Sequence, residues 1–234
     1  GDDKYASSNY STNLKVSKVP STVNVTVDDI TVGDKAVINV ETPEDVCGNV
    51  TVSVDGQNYT VFVSGGKGTL VVPDLDVGPH TVDVIFEGCK KYEPSNNTAQ
   101  FNVNKINTTG SDIKVVDQGN GTVVVVVPDN ANGTVEIKVG NNTYNATVEN
   151  GVATITLDNE TPGTHDIEVI YSGDDTHEGA STNATATIPK ITTPISVDVD
   201  DCKVGDTAVV IVTVPENATG NVTIEVDGVK YTSE

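Results

Sequence analysis

The sequence predicts an all-β protein of tandem antiparallel β-sandwiches, and three observations carry that expectation. Its apolar residues are mostly β-branched and alternate with polar ones, the pattern of strands buried on one face. No segment has helical period, and turn chemistries rich in Gly and Asp punctuate the chain at short intervals. Finally, the chain repeats itself: Gly48 to Tyr59 (GNVTVSVDGQNY) realigns without a gap on Gly133 to Tyr144 (GTVEIKVGNNTY) and Gly220 to Tyr231 (GNVTIEVDGVKY), 85 and then 87 residues further on. Pro43, Pro128 and Pro215 fall on the same offsets. A period above the 20 to 50 residues usual for solenoids means a string of whole domains.

In the first full repeat, strands are expected at 22–27 and 36–42, on either side of the Val32-Gly33-Asp34 turn. The 49–54 strand ends at Asp55-Gly56-Gln57, and the 58–63 strand at Ser64-Gly65-Gly66. Strands at 68–72 and 80–86 flank Val77-Gly78-Pro79, and 98–103 closes the unit. The second repeat reads the same way, with the apolar run Val123–Val127 as a central strand. Seven short strands without helices indicate an immunoglobulin-like seven-stranded antiparallel β-sandwich.

The repeat divides the chain into four pieces. Residues 1–19 (GDDKYASSNYSTNLKVSK onward) match Gly88 onward and Gly173 onward and so read as the end of a preceding repeat. Residues 20–105 and 106–190 are full repeats, and 191–234 supplies the first half of another. With its Gly1 start and no Met, the chain reads as a window from a longer polypeptide.

Several motifs resemble a known family. V-G-D-x-A before a strand (Val32 to Ala36, Val204 to Ala208), G-x-V-x-[VI]-x-V before a turn, P-G-T-H (Pro162 to His165) and Y-S-G-D-D (Tyr171 to Asp175) are similar to the bacterial Ig-like group-three repeat. The Asn- and Thr-rich, Arg-free background is similar to the large adhesin-like surface proteins of methanogenic archaea. The resemblance implies a cell-surface stalk or adhesin and carries over no catalytic site.

The charge narrows the partners. Against 34 Asp plus Glu stand 13 cations, all Lys, for a net −21. Phosphate recognition favours Arg forks and positive surface, so nucleic acid and anionic lipid are disfavoured. No run of about 18 apolar residues exists to insert in a bilayer. The expected partners are other repeats of the same chain and like chains in a surface fibre, in an extracellular, cell-surface or cell-wall setting.

Asn-x-Ser/Thr sequons occur at Asn9, Asn24, Asn49, Asn58, Asn96, Asn107, Asn120, Asn132, Asn141, Asn145, Asn159, Asn183, Asn217 and Asn221. That is 14 of 22 Asn, and with 44 Ser plus Thr chance supplies about four. N-glycosylation of a secreted protein is the expectation; the plainer reading is that Asn and Thr are common on strand and turn surfaces.

Of the three cysteines, Cys202 aligns with Ile30 and Val115 and reads as a small buried hydrophobe. Cys47 aligns with Asn132 and Thr219, and Cys89 with Asp174 and Asp2, all polar loop slots. In a seven-strand sandwich the loops after strands two and six share one end, so a Cys47–Cys89 disulfide suits an oxidising exterior. It would contribute about 4 kcal/mol in the chain-entropy description. Competing pairings are intermolecular, or between Cys202 and a neighbouring repeat.

His80 and His165 share one repeated slot, while His177 takes the slot of Tyr92 and Tyr5. Repeated positions argue for structure rather than catalysis, and no nucleophile, zinc or phosphate-loop motif is present, so no enzyme is expected. No cofactor is expected either; calcium at a repeat junction is the one candidate, through Asp28-Asp29, Asp74/Asp76, Asp174-Asp175 or Asp198/Asp200/Asp201. Tyr59, Tyr144 and Tyr231 occupy one strand slot and read as packing residues.

The leading function is a semi-rigid, glycosylated spacer. The alternatives are a carbohydrate- or protein-binding adhesive module, or a subunit of a self-assembling surface filament or sheath.

Overall fold

A computed structural model describes residues 1–46 and 48–233. The first module contains β1 (Asn24–Thr26), β2 (Ile30–Thr31), β3 (Ala36–Glu41), β4 (Gly48–Val54), β5 (Gln57–Val63), β6 (Lys67–Val72), β7 (Gly78–Phe86) and β8 (Ser95–Asn104). These form two sheets, β1-β3-β6 and β2-β8-β7-β4-β5. The second module contains a 3-10 turn at Gly110–Asp112, then β9 (Lys114–Asp117), β10 (Thr122–Val126), β11 (Thr134–Val139), β12 (Asn142–Thr147), β13 (Val152–Thr156), β14 (Gly163–Tyr171) and β15 (Ala180–Ile188). Its sheets run β13-β10-β9 and β12-β11-β14-β15. The chain ends in β16 (Ser196–Val199), β17 (Val210–Thr213), β18 (Val222–Val226) and β19 (Val229–Ser233), which join only as two pairs, β16-β17 and β18-β19.

The period-two pattern does what it predicts. In β3, Ala36, Ile38 and Val40 are buried and the intervening Val37, Asn39 and Glu41 are exposed. Such strands contribute their inner faces to one core from Val23 to Val103 and a separate one from Ile113 to Ala186. The strongly repeated block is a hairpin. Val54 pairs with Gln57 across Asp55-Gly56, whose φ values of 49° and 87° make a type I′ turn. Asp227-Gly228 repeats it at 47° and 82° between β18 and β19.

The first expected strand, 22–27, is followed by one that was not expected. After β1 the chain crosses to the other sheet, where β2 runs parallel to β8, pairing Ile30 with Val103 and Thr31 with Asn104. Asp29 fixes the crossing by accepting the Asn102 amide N–H at 2.6 Å. The first module therefore has eight strands, against the seven expected.

At the two ends, sequence similarity is not matched by burial. Residues 1–20 are exposed and contain no strand, and β16 to β19 are exposed or half-buried throughout. Paired only two by two, these strands bury no apolar side chain fully, and Val210, Ile224, Val226 and Tyr231 line an open groove between the hairpins. Cys202, expected to be buried, is consequently exposed. Its counterparts Ile30 and Val115 are half-buried within complete sandwiches.

The two modules meet over a single residue. β8 ends at Asn104, and Ile106 already donates its amide to Thr176 and accepts from Glu178 in the second module. Lys105 between them is half-buried and donates its ammonium to the Asp174 carbonyl. A groove at this junction is lined by Val32, Asp76 and Val77 from one module and Lys105, Asp175 and Thr176 from the next.

Candidate functional site

All 14 sequon asparagines are exposed. Several lie on strands at sheet edges: Asn24 on β1, Asn58 on β5, Asn145 on β12 and Asn183 on β15. Asn49 lies on β4 and Asn96 on β8, while Asn120, Asn132, Asn141 and Asn159 lie between strands. The amide nitrogen is the atom that accepts a sugar, and among the described residues only one sequon nitrogen is engaged, Asn132 Nδ2 with Asn130 O at 3.2 Å. Three of the other eight asparagines are held by that atom: Asn97 to Val23 O, Asn102 to Asp29 and Asn142 to Glu160. The sequon amide nitrogens are thus accessible and, Asn132 apart, uncommitted.

The expected cysteine site is described in part. Cys47 lies outside the described residues; Cys89 is exposed, and its sulfur accepts the Tyr92 N–H at 3.4 Å. The same turn recurs with an aspartate in place of the thiol. Asp174 Oδ1 accepts the amides of Thr176 and His177, both at 2.7 Å, and Asp2 Oδ1 accepts those of Lys4 and Tyr5, both at 2.8 Å. The other Asp174 oxygen accepts the Asn132 amide at 2.6 Å and the Tyr171 hydroxyl at 3.1 Å. In the second module, then, the slots equivalent to Cys47 and Cys89 touch. Burial opposes charge on Asp174, but the backbone N–H groups of Asn132, Thr176 and His177 outweigh it and hold the carboxyl far below its ordinary range. Burial and the neighbouring charge push Tyr171 up to about 12. In the first module the loops around Cys47 and Cys89 are tied differently, by Asp45, which accepts the Tyr92 hydroxyl at 2.6 Å and pairs with Lys91.

The histidines have structural partners. His80 is buried, with Nδ1 donating to Asp55 Oδ2 at 2.6 Å, Nε2 donating to Asp76 O at 2.8 Å, and its ring stacked on Phe101. Burial works against its charge, but the hydrogen bonds to Asp55 and the Asp76 carbonyl prevail and raise it above its ordinary value of 6.5. With both nitrogens donating, neither is free to take a proton from a substrate. His165 meets Thr161 O at 2.6 Å, and buried His177 lies between Thr176 and Asp174. Tyr59 and Tyr144 pack against the two cores, while Tyr231 is exposed. No group of three or more His, Cys, Asp or Glu suited to a metal ion occurs among the described residues.

One surface feature escaped the sequence reading. Phe62 and Ile85 point outward from the five-stranded sheet and are 66% and 41% exposed. The alternation of β5, with Asn58, Thr60 and Phe62 on the outer face, contained that signal.

Residues 106–189, the second module, match the family described as bacterial Ig-like domain (group 3). No curated protein matches the chain. Among solved structures, the BSP domain of a biofilm-associated protein is 21% identical, with 74% of this chain and 30% of that one covered and a TM-score of 0.26. A 1.5-MDa bacterial ice-binding adhesin is 16% identical, with 74% and 65% covered and a TM-score of 0.32. The FN1–FN3 domains of chicken CNTN1 are 12% identical, with 92% and 97% covered and a TM-score of 0.32. The chain thus spans less than two thirds of the first two structures it resembles. Among the described residues no helix is long and apolar enough to cross a membrane.

Proposed function

We propose that this chain is part of a glycosylated cell-surface stalk in which tandem Ig-like modules act as a semi-rigid, non-enzymatic spacer. The observation that carries the reading is the one-residue junction, where strand bonding passes from Asn104 to Ile106 with Lys105 fastened to the next module. A linker that short leaves little freedom between neighbours, so reach grows with copy number. The exposed sequon amide nitrogens, uncommitted except at Asn132, support sugar attachment, and sugar and negative charge together keep the open sheet edges from pairing with other chains.

The Cys47–Cys89 disulfide belongs to the same reading, since it suits an extracellular setting. Its support is the contact between Asn132 and Asp174 in the equivalent slots.

Small-angle scattering from the chain and from a variant with a Gly/Ser linker inserted after Lys105 tests the spacer. The native chain should give the profile of one elongated, narrow distribution, and the insertion should broaden it. Equally broad distributions for both would overturn the semi-rigid stalk.

A further inference from the structure

The exposed apolar residues of the five-stranded sheet are not randomly placed. Phe62 on β5 lies directly opposite Asn49 on β4, and Ile85 on β7 lies directly opposite Asn96 on β8. Both asparagines are sequon residues on the same outer face as their partners. Opposite residues in an antiparallel pair hold their Cβ atoms about 4.5–5.5 Å apart, within the width of one sugar ring.

The second module supplies an internal control. Thr134 and Thr147 occupy the positions of Asn49 and Phe62 and pair in the same register. Ile170 and Ser181 occupy those of Ile85 and Asn96, also paired, with Ile170 half-buried. Neither Thr134 nor Ser181 is an acceptor. At these two paired positions the second module lacks both the well-exposed apolar residue and the sequon, while its strand sequons Asn145 and Asn183 lie opposite Glu136 and Glu168. The third copy of the slot, Asn221, would have Glu234 opposite, which lies outside the described residues and supplies no comparison.

Resting on the glycosylated reading above, we propose that Asn49 is a modification site whose first sugar packs over the Phe62 ring, and that the sugar on Asn96 covers Ile85 in the same way. The C–H face of a pyranose is apolar, and an aromatic face held beside its point of attachment gives it a partner with little loss of freedom. The attachment is a substitution at the anomeric carbon of an oligosaccharide carried on a polyprenyl pyrophosphate. Asn49 Nδ2 forms the C–N bond, the C–O bond to the carrier breaks, the pyrophosphate leaves with the electron pair, and the amide gives up one proton. The sugar then occupies apolar surface beside β5, which is an edge strand and the place where another chain would otherwise add.

Site-resolved glycopeptide mapping of the natively produced protein, followed by NMR of its sugar protons, tests this. The expected result is an occupied Asn49 whose first-sugar protons are shifted upfield by an aromatic ring, a shift lost in Phe62→Ser while occupancy persists. Since Phe62 is largely exposed, that variant should fold, and Asn49→Gln supplies a second reading by removing the same signals. Sugar on other sequons with Asn49 bare would overturn the proposal and leave the glycosylated stalk standing. So would an occupied Asn49 with no ring-shifted protons. Concentration-dependent protection of Phe62 in the natively glycosylated protein would overturn the proposal and assign the patch to a second copy instead. Complete absence of sugar would overturn this proposal and the glycosylated reading together.

Discussion

At the scale of single residues, charge is placed where the backbone needs it. Asp174 uses both oxygens on N–H and O–H donors from three parts of its module. Asp174→Ala leaves those donors unmatched and should destabilise the second module by about 2–3 kcal/mol, read as a lowered melting temperature with hydrogen exchange localising the loss. His80 makes the first module sensitive to pH. Its folded pKa is raised, so its contribution is complete below the unfolded value and is lost as pH rises through the folded one. The first module should therefore melt at a lower temperature in mildly alkaline than in mildly acidic buffer. His80→Gln should flatten that difference; an unchanged slope would show that another group is responsible. The repeated slot of His80 and His165 indicated a structural role from sequence alone. Its carboxylate partner did not emerge, because Asp55 reads locally as a turn residue and the two meet only once β4 and β7 are paired.

At the scale of elements, the same slot has different energetics in different copies. Ile38 in β3 is fully buried, whereas Val210, its counterpart in β17, is half-buried on a sheet of two strands. Ile38→Ala should cost about 2–5 kcal/mol, while Val210→Ala should leave the melting of the complete modules unchanged. Chemical denaturation followed by hydrogen exchange separates the two. This contrast explains which parts of the fold were legible. Alternation identified the strands of both complete modules, because each had a sheet to face. It placed Cys202 in a core that the end segment does not form, since a sequence pattern records the face a strand offers and not whether anything covers it. The sheet crossing after β1 also went unread, as a two-residue strand is too short to show alternation. For the candidate site, sequons were visible as motifs, but their opposition to Phe62 and Ile85 depends on register across strands.

At the scale of the whole molecule, the chain is a line of modules in which each passes any load to its neighbour through one residue, Lys105 in the described junction. The parallel pairing of β2 with β8 has a consequence under tension. Pulling on the ends of the first module draws β2 and β8 in opposite directions along their length, so the slanted bonds that tie Ile30 and Val32 to β8, among them Val32 N–H to Asn104 O, must rupture together. Among the described residues no such parallel ladder joins β9 to β15 in the second module. Single-molecule stretching should thus show two unequal force peaks, and Val32→Pro, which removes the amide bonded to Asn104 O, should lower the larger. The order in which such a tether yields would then be written into its strands: the second module extends first, lengthening the chain and absorbing a sudden tug before the first module gives way.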